Sequence, residues 1–383
     1  MFELVKMYEK DPSEKKLNLI YGVCIDDNKR VYKFKVIQQV AEMLVNSGTL
    51  SHEYTTLTGL PELAPLATRV VFGEDNEVLD KVVAFQTCGA TGALSLGGSL
   101  LSRYFKRNKV YIPAQTWEQH IEIFKNVGFE VRRYRYYNSM KQKVDFEGLM
   151  EDLKNADDDS AVILHANCHN PTGGILSQDQ WKQIMCLLQE RDLFPFFDNA
   201  YQGLGKDLVT DRWPVNTFAE AGMEFMVTQT FSKNFGLYGE RVGFIYGVFN
   251  DPSTREDAMA RFEYYGANTF LMTPAFGSKL VYEILRNEEL RENWTKELYQ
   301  YNDRMAKIKE AVKSNLEQKV NGRDFSFLVD NEGLFAWFNF TGNEAEKLRN
   351  QYNIYVLPNG RVNMSGLSLD DVEYFTDAMA TVL

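Results

Sequence analysis

A chain of 383 residues, 44% hydrophobic and 25% charged, can bury a large core and is long enough for two domains. Its net charge of −11 argues against a nucleic-acid partner, because phosphate backbones attract basic surfaces. No apolar run approaches the roughly 20 residues that span a bilayer, and the charged start MFELVKMYEKDPSEKK suits neither a secretory signal nor a membrane anchor.

Cys24, Cys88, Cys168 and Cys186 lack the spacing of a disulfide framework or a zinc knuckle, so a reduced cytoplasmic enzyme is the expectation. In chain order, an apolar run at 82–85 leads into Gln86-Thr87-Cys88-Gly89-Ala90-Thr91-Gly92, small residues that open an apolar helical stretch. Free N–H groups at such a helix start suit phosphate. The loop has the spacing of neither a dinucleotide fingerprint nor a nucleotide-triphosphate loop. Runs at 109–112 and 130–136 read as further strands. Between them, Trp117 has a face that can stack on a planar ring or simply pack. Asp157-Asp158-Asp159 reads as a solvated turn.

The run 161–165 ends at His165 and leads into Asn170-Pro171-Thr172-Gly173-Gly174. His165 and His169 are four apart, which on a helix suggests a metal site. A strand before them and Pro171 after them argue against a helix, so no metal is expected. Asn170 reads better as an amide aimed at a ligand oxygen. Residues 177–190 place Trp181, Ile184, Leu187 and Leu188 on one helix face. Asp198 closes the run 193–197, with Tyr201 three residues on. A carboxylate at the end of a buried strand can pair with a protonated ring nitrogen, and Tyr201 can donate to a phenolate oxygen of the same ring. Asp198 could equally cap the turn that follows.

After the run 225–229 come Thr230-Phe231-Ser232-Lys233, then Arg241 and another run at 242–248. A lysine between hydroxyls and a fixed arginine suits a Schiff base with a phosphorylated aldehyde. The hydroxyls and guanidinium take the phosphate, and the amine takes the carbon. The nearby cation also lowers the amine's pKa. In isolation the segment reads as well as a surface lysine before a glycine turn. Strands alternating with helices predict a largely parallel α/β sheet with ligands at the strands' carboxyl ends. From Leu290 to Leu316, apolar residues recur every three or four positions, predicting one helix of roughly 45 Å. It leads to a smaller α+β unit with strands at 334–340 and 352–357. Arg361 sits on a tight turn, either as a fork for a substrate carboxylate or as a surface residue.

Together HNPTGG, DNAYQG and SKNFGLYGERVG resemble the class I pyridoxal-phosphate-dependent aminotransferases, in the aspartate and aromatic branch, over residues 18–369. The resemblance implies fold type I, a mostly parallel central sheet sandwiched by helices. It places a large cofactor-binding domain at 33–300 and a small α+β domain at 1–32 and 301–383, joined by the long helix. It implies that Lys233 carries the Schiff base to pyridoxal phosphate and shuttles the proton between Cα and the cofactor C4′. Asp198 would pair with the pyridine nitrogen, with His165 supporting it from behind. Tyr201 and Asn170 would contact the phenolic oxygen, and Trp117 would stack on the ring. Gly89, Ala90, Thr91, Thr230, Ser232 and Arg241 would hold the phosphate. Tyr54, at the catalytic tyrosine position, would reach that phosphate across a homodimer. Arg361 would clamp the substrate α-carboxylate, with the Gly22 backbone closing over it and Trp117 and Asn170 beside it.

Two departures from the family pattern stand out. Family members that prefer dicarboxylates carry a second arginine shortly before an Asn-Pro-Pro turn, and here Gly266 or Ala267 takes its place, with Tyr264, Tyr265 and Phe270 around it. Arg261 could substitute only if a loop shifts. Ala90 also replaces a usual glycine of the phosphate loop. The implied reaction is a ping-pong exchange of the amino group between an L-amino acid and a 2-oxo acid such as 2-oxoglutarate, favouring aromatic or uncharged side chains. An aspartate-preferring enzyme and a lyase or decarboxylase on the same fold are the alternatives. A non-catalytic regulator fits poorly with Lys233, and a nicotinamide dehydrogenase lacks its glycine pattern.

Overall fold

The apolar runs pair into one seven-stranded sheet in a computed structural model that describes residues 2–48 and 50–383. In chain order its strands are β1 (Val82–Cys88), β2 (Lys109–Pro113), β3 (Glu130–Tyr134), β4 (Ala161–His165), β5 (Phe194–Asn199), β6 (Phe225–Thr230) and β7 (Val242–Val248). Their spatial order is β1-β7-β6-β5-β4-β2-β3, and only β7 runs against the others. A parallel sheet is covered on both faces, so its strands are apolar throughout rather than alternating. Every residue of β4, β5, β6 and β7 is buried. Neighbouring side chains divide between two cores: Leu164 and Phe197 join one cluster, Ile163 and Phe196 the other.

This topology gathers chemistry on one edge. The parallel strands end there, at Cys88, His165, Asn199 and Thr230. Antiparallel β7 begins at the same edge, with Val242 opposite Cys88 and Gly243 opposite Thr230, so Arg241 arrives from the far side of the ladder. The helix Gly89–Ser99 starts directly from β1 and lies against the sheet. At its Gly97 helix and strands approach closely, since a Cβ there would lie 2.6 Å from Phe196 Cζ.

The long helix spans Glu288–Lys319, 32 residues capped by the Asn287 side chain, and so extends about 48 Å. Leu290, Trp294, Leu298, Tyr301, Met305, Ile308, Val312 and Leu316 form its buried stripe. Near the chain ends, Leu17–Asn18 runs parallel to Ile354–Tyr355, joining the two terminal segments, and within the C-terminal one Phe335–Trp337 runs antiparallel to Arg361–Asn363. Buried Asn363 ties the segment near Gly22 to this unit, donating to the carbonyls of Tyr21 at 2.5 Å and Val23 at 2.9 Å. Among the described residues no helix is long and apolar enough to cross a membrane.

Several expected boundaries move. The strand expected at 130–136 stops at Tyr134. The strand expected at 352–357 shrinks to Ile354–Tyr355, because the helix Asn343–Tyr352 runs up to Asn353, whose φ of +51° ends it. The one expected at 334–340 keeps only Phe335–Trp337. Most consequential, β5 continues through Asp198 to Asn199. Asp198 is therefore a strand residue and caps no turn.

Gly97 allows a stability test in which two effects oppose. Alanine raises helix propensity by about 1 kcal/mol, but overpacking a filled core costs about 1–3 kcal/mol. Gly97→Ala is expected to lower the urea midpoint, because the packing cost outweighs the propensity gain.

Candidate active site

Lys233 follows β6 by three residues, and its position comes from the turn that brings Thr230 Oγ1 within 2.8 Å of Ser232 Oγ. Its Nζ donates to the Gly22 carbonyl at 2.5 Å and lies 4.8 Å from the centre of the Tyr238 ring. Burial, aided by the fields of Arg361 and Arg241 and opposed by Cys24, lowers this amine from 10.5 to about 8. The amine is thus still mostly protonated at neutral pH but gives up its proton more readily than an ordinary lysine.

Beside it lies a cradle for an anion. Arg241 donates to Ser232 Oγ at 3.3 Å and to the Tyr238 carbonyl at 3.2 Å. It takes up φ +55°, a left-handed conformation costing a non-glycine residue about 1 kcal/mol. That strain turns the guanidinium onto the start of the helix Gly89–Ser99. Glycine is favoured at Gly89 by its left-handed φ of +67°, and a Cβ there would sit 2.5 Å from Arg241 Nη2. Half-buried Ala90 and exposed Thr91 follow in the first helical turn, whose backbone N–H groups have no intrahelical partner. Two hydroxyls, a guanidinium and a helix N-terminus therefore face one point, a donor set suited to a phosphate.

The opposite charge is supplied by Asp198, buried and bonded at both oxygens. His120 Nε2 lies 3.1 Å from Oδ2, and Thr228 Oγ1 donates to Oδ1 at 3.0 Å. Burial raises its pKa, yet the His120 bond and field, the field of His165 and the Thr228 bond outweigh that and leave it below its ordinary value. His120 meets the carboxylate directly, and His165, expected to support it from behind, stands one step further back through Thr116. The directions follow from one fixed donor. The Asn170 backbone N–H enters His165 Nδ1 at 3.3 Å, so Nε2 carries the hydrogen toward Thr116 Oγ1 at 3.2 Å. The Thr116 hydroxyl then donates to His120 Nδ1 at 2.8 Å, leaving Nε2–H for Asp198. Burial holds His165 well below its ordinary pKa, in keeping with the neutral ring this chain needs.

A third group surrounds Arg361, which is buried rather than on a surface turn. It donates to the Ile20 carbonyl at 2.6 Å and to Asn170 Oδ1 at 3.3 Å, and the Phe335 ring centre lies 4.6 Å from the guanidinium carbon. Its Nε is buried without a partner. Asn170 Nδ2 reaches Tyr201 Oη at 3.5 Å, and burial pushes that phenol up. Gly22 lies between the groups: a Cβ there would be 3.1 Å from Phe335 and 3.8 Å from Tyr201 Oη. Trp117 packs edge-on to His120, ring centres 5.4 Å apart. Tyr54 is the exception, standing 80% exposed and outside this cluster.

Sequence reasoning assigned no role to His120, Thr116, Thr228 or Phe335. His120 carried a usable signal, three residues beyond Trp117 at the start of a helix; the others carried none. Among the described residues no His, Cys, Asp and Glu cluster is arranged to hold a metal ion.

The aminotransferase class I and II family model matches residues 14–379. The chain is similar to the cytoplasmic aspartate aminotransferase of Gallus gallus, 33% identical over 98% of this chain and 93% of that one. It is also similar to the aromatic-amino-acid aminotransferase of Burkholderia pseudomallei covalently bound to pyridoxal phosphate. That structure is 30% identical and superposes with a TM-score of 0.96 over 100% of this chain and 96% of the other. The aromatic amino acids aminotransferase of Psychrobacter sp. B6, cocrystallised with aspartic acid, gives the same TM-score of 0.96, identity of 30% and coverage of 100% and 96%.

The lowered pKa of Lys233 has a stability consequence in the cofactor-free protein. Below about pH 8 the folded chain bears the full cost of a buried ammonium; the cost shrinks between 8 and 10.5, as the folded amine loses its proton before the unfolded one. Lys233→Met is expected to stabilise the cofactor-free protein by about 1–3 kcal/mol at pH 7, the gain vanishing towards pH 10.5. Urea midpoints of both proteins across that range check it, and a gain that grows with pH would contradict it.

Proposed function

The chain belongs to the aminotransferase class I and II family and is a pyridoxal-phosphate-dependent transaminase of fold type I; from that premise we propose which of its residues perform each part of the reaction. The observation that carries the reading is the meeting of Lys233, the hydroxyl–guanidinium cradle and doubly bonded Asp198 on one sheet edge. These residues fit the cofactor: the cradle closes on Gly89, whose φ of +67° favours glycine and where a Cβ would lie 2.5 Å from Arg241 Nη2, and Asp198 is buried near the end of β5. The chemistry supplied by bound pyridoxal phosphate is an aldehyde that takes up amino groups and an electron-poor ring.

Gly89, Ala90, Thr91, Thr230, Ser232 and Arg241 bind the phosphate. Asp198 would accept the hydrogen bond of the protonated ring nitrogen, Tyr201 and Asn170 would bind the phenolic oxygen, and Trp117 would cover the ring face. Lys233 would be the residue joined to the cofactor aldehyde, and its amine, once free, would serve as the base that moves the substrate Cα proton. Arg361 binds the substrate α-carboxylate, for which its unpartnered Nε is a ready donor, and Gly22 closes over it.

The second product of the exchange comes from a 2-oxo acid, taken here as 2-oxoglutarate. The amino donor carries an aromatic or uncharged side chain, because no arginine stands where a side-chain carboxylate needs one. Position 266 has no room for any side chain, since a Cβ would lie 2.9 Å from Phe85. Ala267 is neutral, and Arg261 is laid over the Tyr104 ring at 5.2 Å. The active unit is a homodimer in the cytoplasm. Exposed Tyr54, Leu57, Tyr264 and Leu271 lie on two segments tied by the Thr55–Thr273 bond, and a second copy that covers them brings its own tyrosine to the cradle. The division into a large domain at 33–300 and a small one at 1–32 and 301–383 belongs to the same proposal.

With 2-oxoglutarate as acceptor, kcat/KM for tyrosine and phenylalanine is expected to exceed that for aspartate about tenfold or more, the scale of an unpaired buried charge. Aspartate leading by that factor would sink the specificity reading. Lys233→Ala is expected to abolish turnover, and wild-type protein to form glutamate one for one with donor consumed; release of carbon dioxide or ammonia instead would point to a lyase.

A further inference from the structure

Asp198 has two donors, and the second is Thr228. Thr228 lies on β6 directly opposite Asp198 in the parallel ladder and is wholly buried. A hydroxyl in such a place must find a partner or bear the cost of desolvation. The Asn199 backbone N–H points at Thr228 Oγ1 at 3.4 Å, which occupies a lone pair and leaves the hydroxyl hydrogen for Asp198 Oδ1 at 3.0 Å. Each carboxylate oxygen is thus held by a donor whose direction a backbone N–H sets: Asn199 on the Thr228 side, Asn170 at the far end of the His120 side.

Resting on the proposed pairing of Asp198 with the ring nitrogen, we propose that Thr228 is a positioning residue for transamination, its hydroxyl pinning Oδ1 so that the shared proton stays on the ring nitrogen. The alternative location of that proton is the carboxylate itself. A carboxyl group without water favours its neutral form, and each donor to the anion opposes this. A hydrogen bond to a charged group shifts such an equilibrium about tenfold to a hundredfold. Without the hydroxyl, the proton passes from nitrogen to oxygen. The nitrogen regains its lone pair, the carboxylate becomes an acid, and the net charge of the pair is unchanged. The ring then draws electrons less strongly, and removal of the Cα proton slows.

The test uses holoenzyme loaded with cofactor labelled with nitrogen-15 in the ring, read by NMR together with steady-state kinetics. Thr228→Val keeps the shape and removes the hydroxyl, while Thr228→Ser keeps the hydroxyl. In Thr228→Val the ring-nitrogen resonance is expected to move toward its unprotonated position and kcat to fall about tenfold with little change in KM. Thr228→Ser should retain both wild-type values. A protonated nitrogen in wild type and Thr228→Val alike overturns the role of Thr228 and leaves that of Asp198 standing. An unprotonated nitrogen in the wild type overturns the Asp198 pairing itself. Should Thr228→Val not fold, Thr228→Ala against Thr228→Ser gives the same comparison.

Discussion

One buried negative charge governs this site. Asp198 sits inside a central strand with almost no access to water, where an isolated carboxylate would take up a proton. It stays charged because a histidine and a threonine hydroxyl each donate to one of its oxygens. The threonine is held in turn by the Asn199 backbone N–H, and the histidine by a chain through Thr116 and His165 that ends on the Asn170 backbone N–H. The apolar run Phe194-Pro195-Phe196-Phe197 and the polar bonds at its end are therefore parts of one arrangement. The run excludes water, and the bonds replace what water would have supplied.

The cationic half of the site depends on topology instead. Parallel strands deliver the Gly89 turn and the Thr230–Lys233 turn to one edge, but a parallel neighbour of β1 and β6 would have carried Arg241 to the other. Antiparallel β7 reverses this, and the left-handed backbone at Arg241 aims its side chain into the cradle. The small conformational cost sits where the structure around it, Gly89 against the guanidinium, over-determines the geometry.

Between the charges, the chain termini close the site. Asn363 holds the carbonyls on either side of Gly22, Arg361 holds Ile20, and Gly22 receives the Lys233 amine. Phe335 lies over Arg361 and against Gly22. Movement of this unit is thereby coupled to the carboxylate clamp and to the resting place of the lysine.

Much of this was legible in the residues alone. Strand and helix order followed from apolar runs and a three-to-four residue period, both local properties of the chain, and the family followed from three short segments quoted in sequence. What the chain could not disclose were relations between distant residues. That β5 runs on through Asp198 is decided by its pairing with Thr228, since side-chain polarity predicts an end and the ladder supplies a partner. That His120 rather than His165 meets the carboxylate depends on where the helix Gln119–Asn126 lands and on the Asn170 N–H that commits His165 elsewhere. Residue types and local period determined which elements form and which chemistry is on hand. Only packing in three dimensions decided which donor reaches which oxygen, because a hydrogen bond is won within a few tenths of an ångström and sequence spacing carries no such resolution.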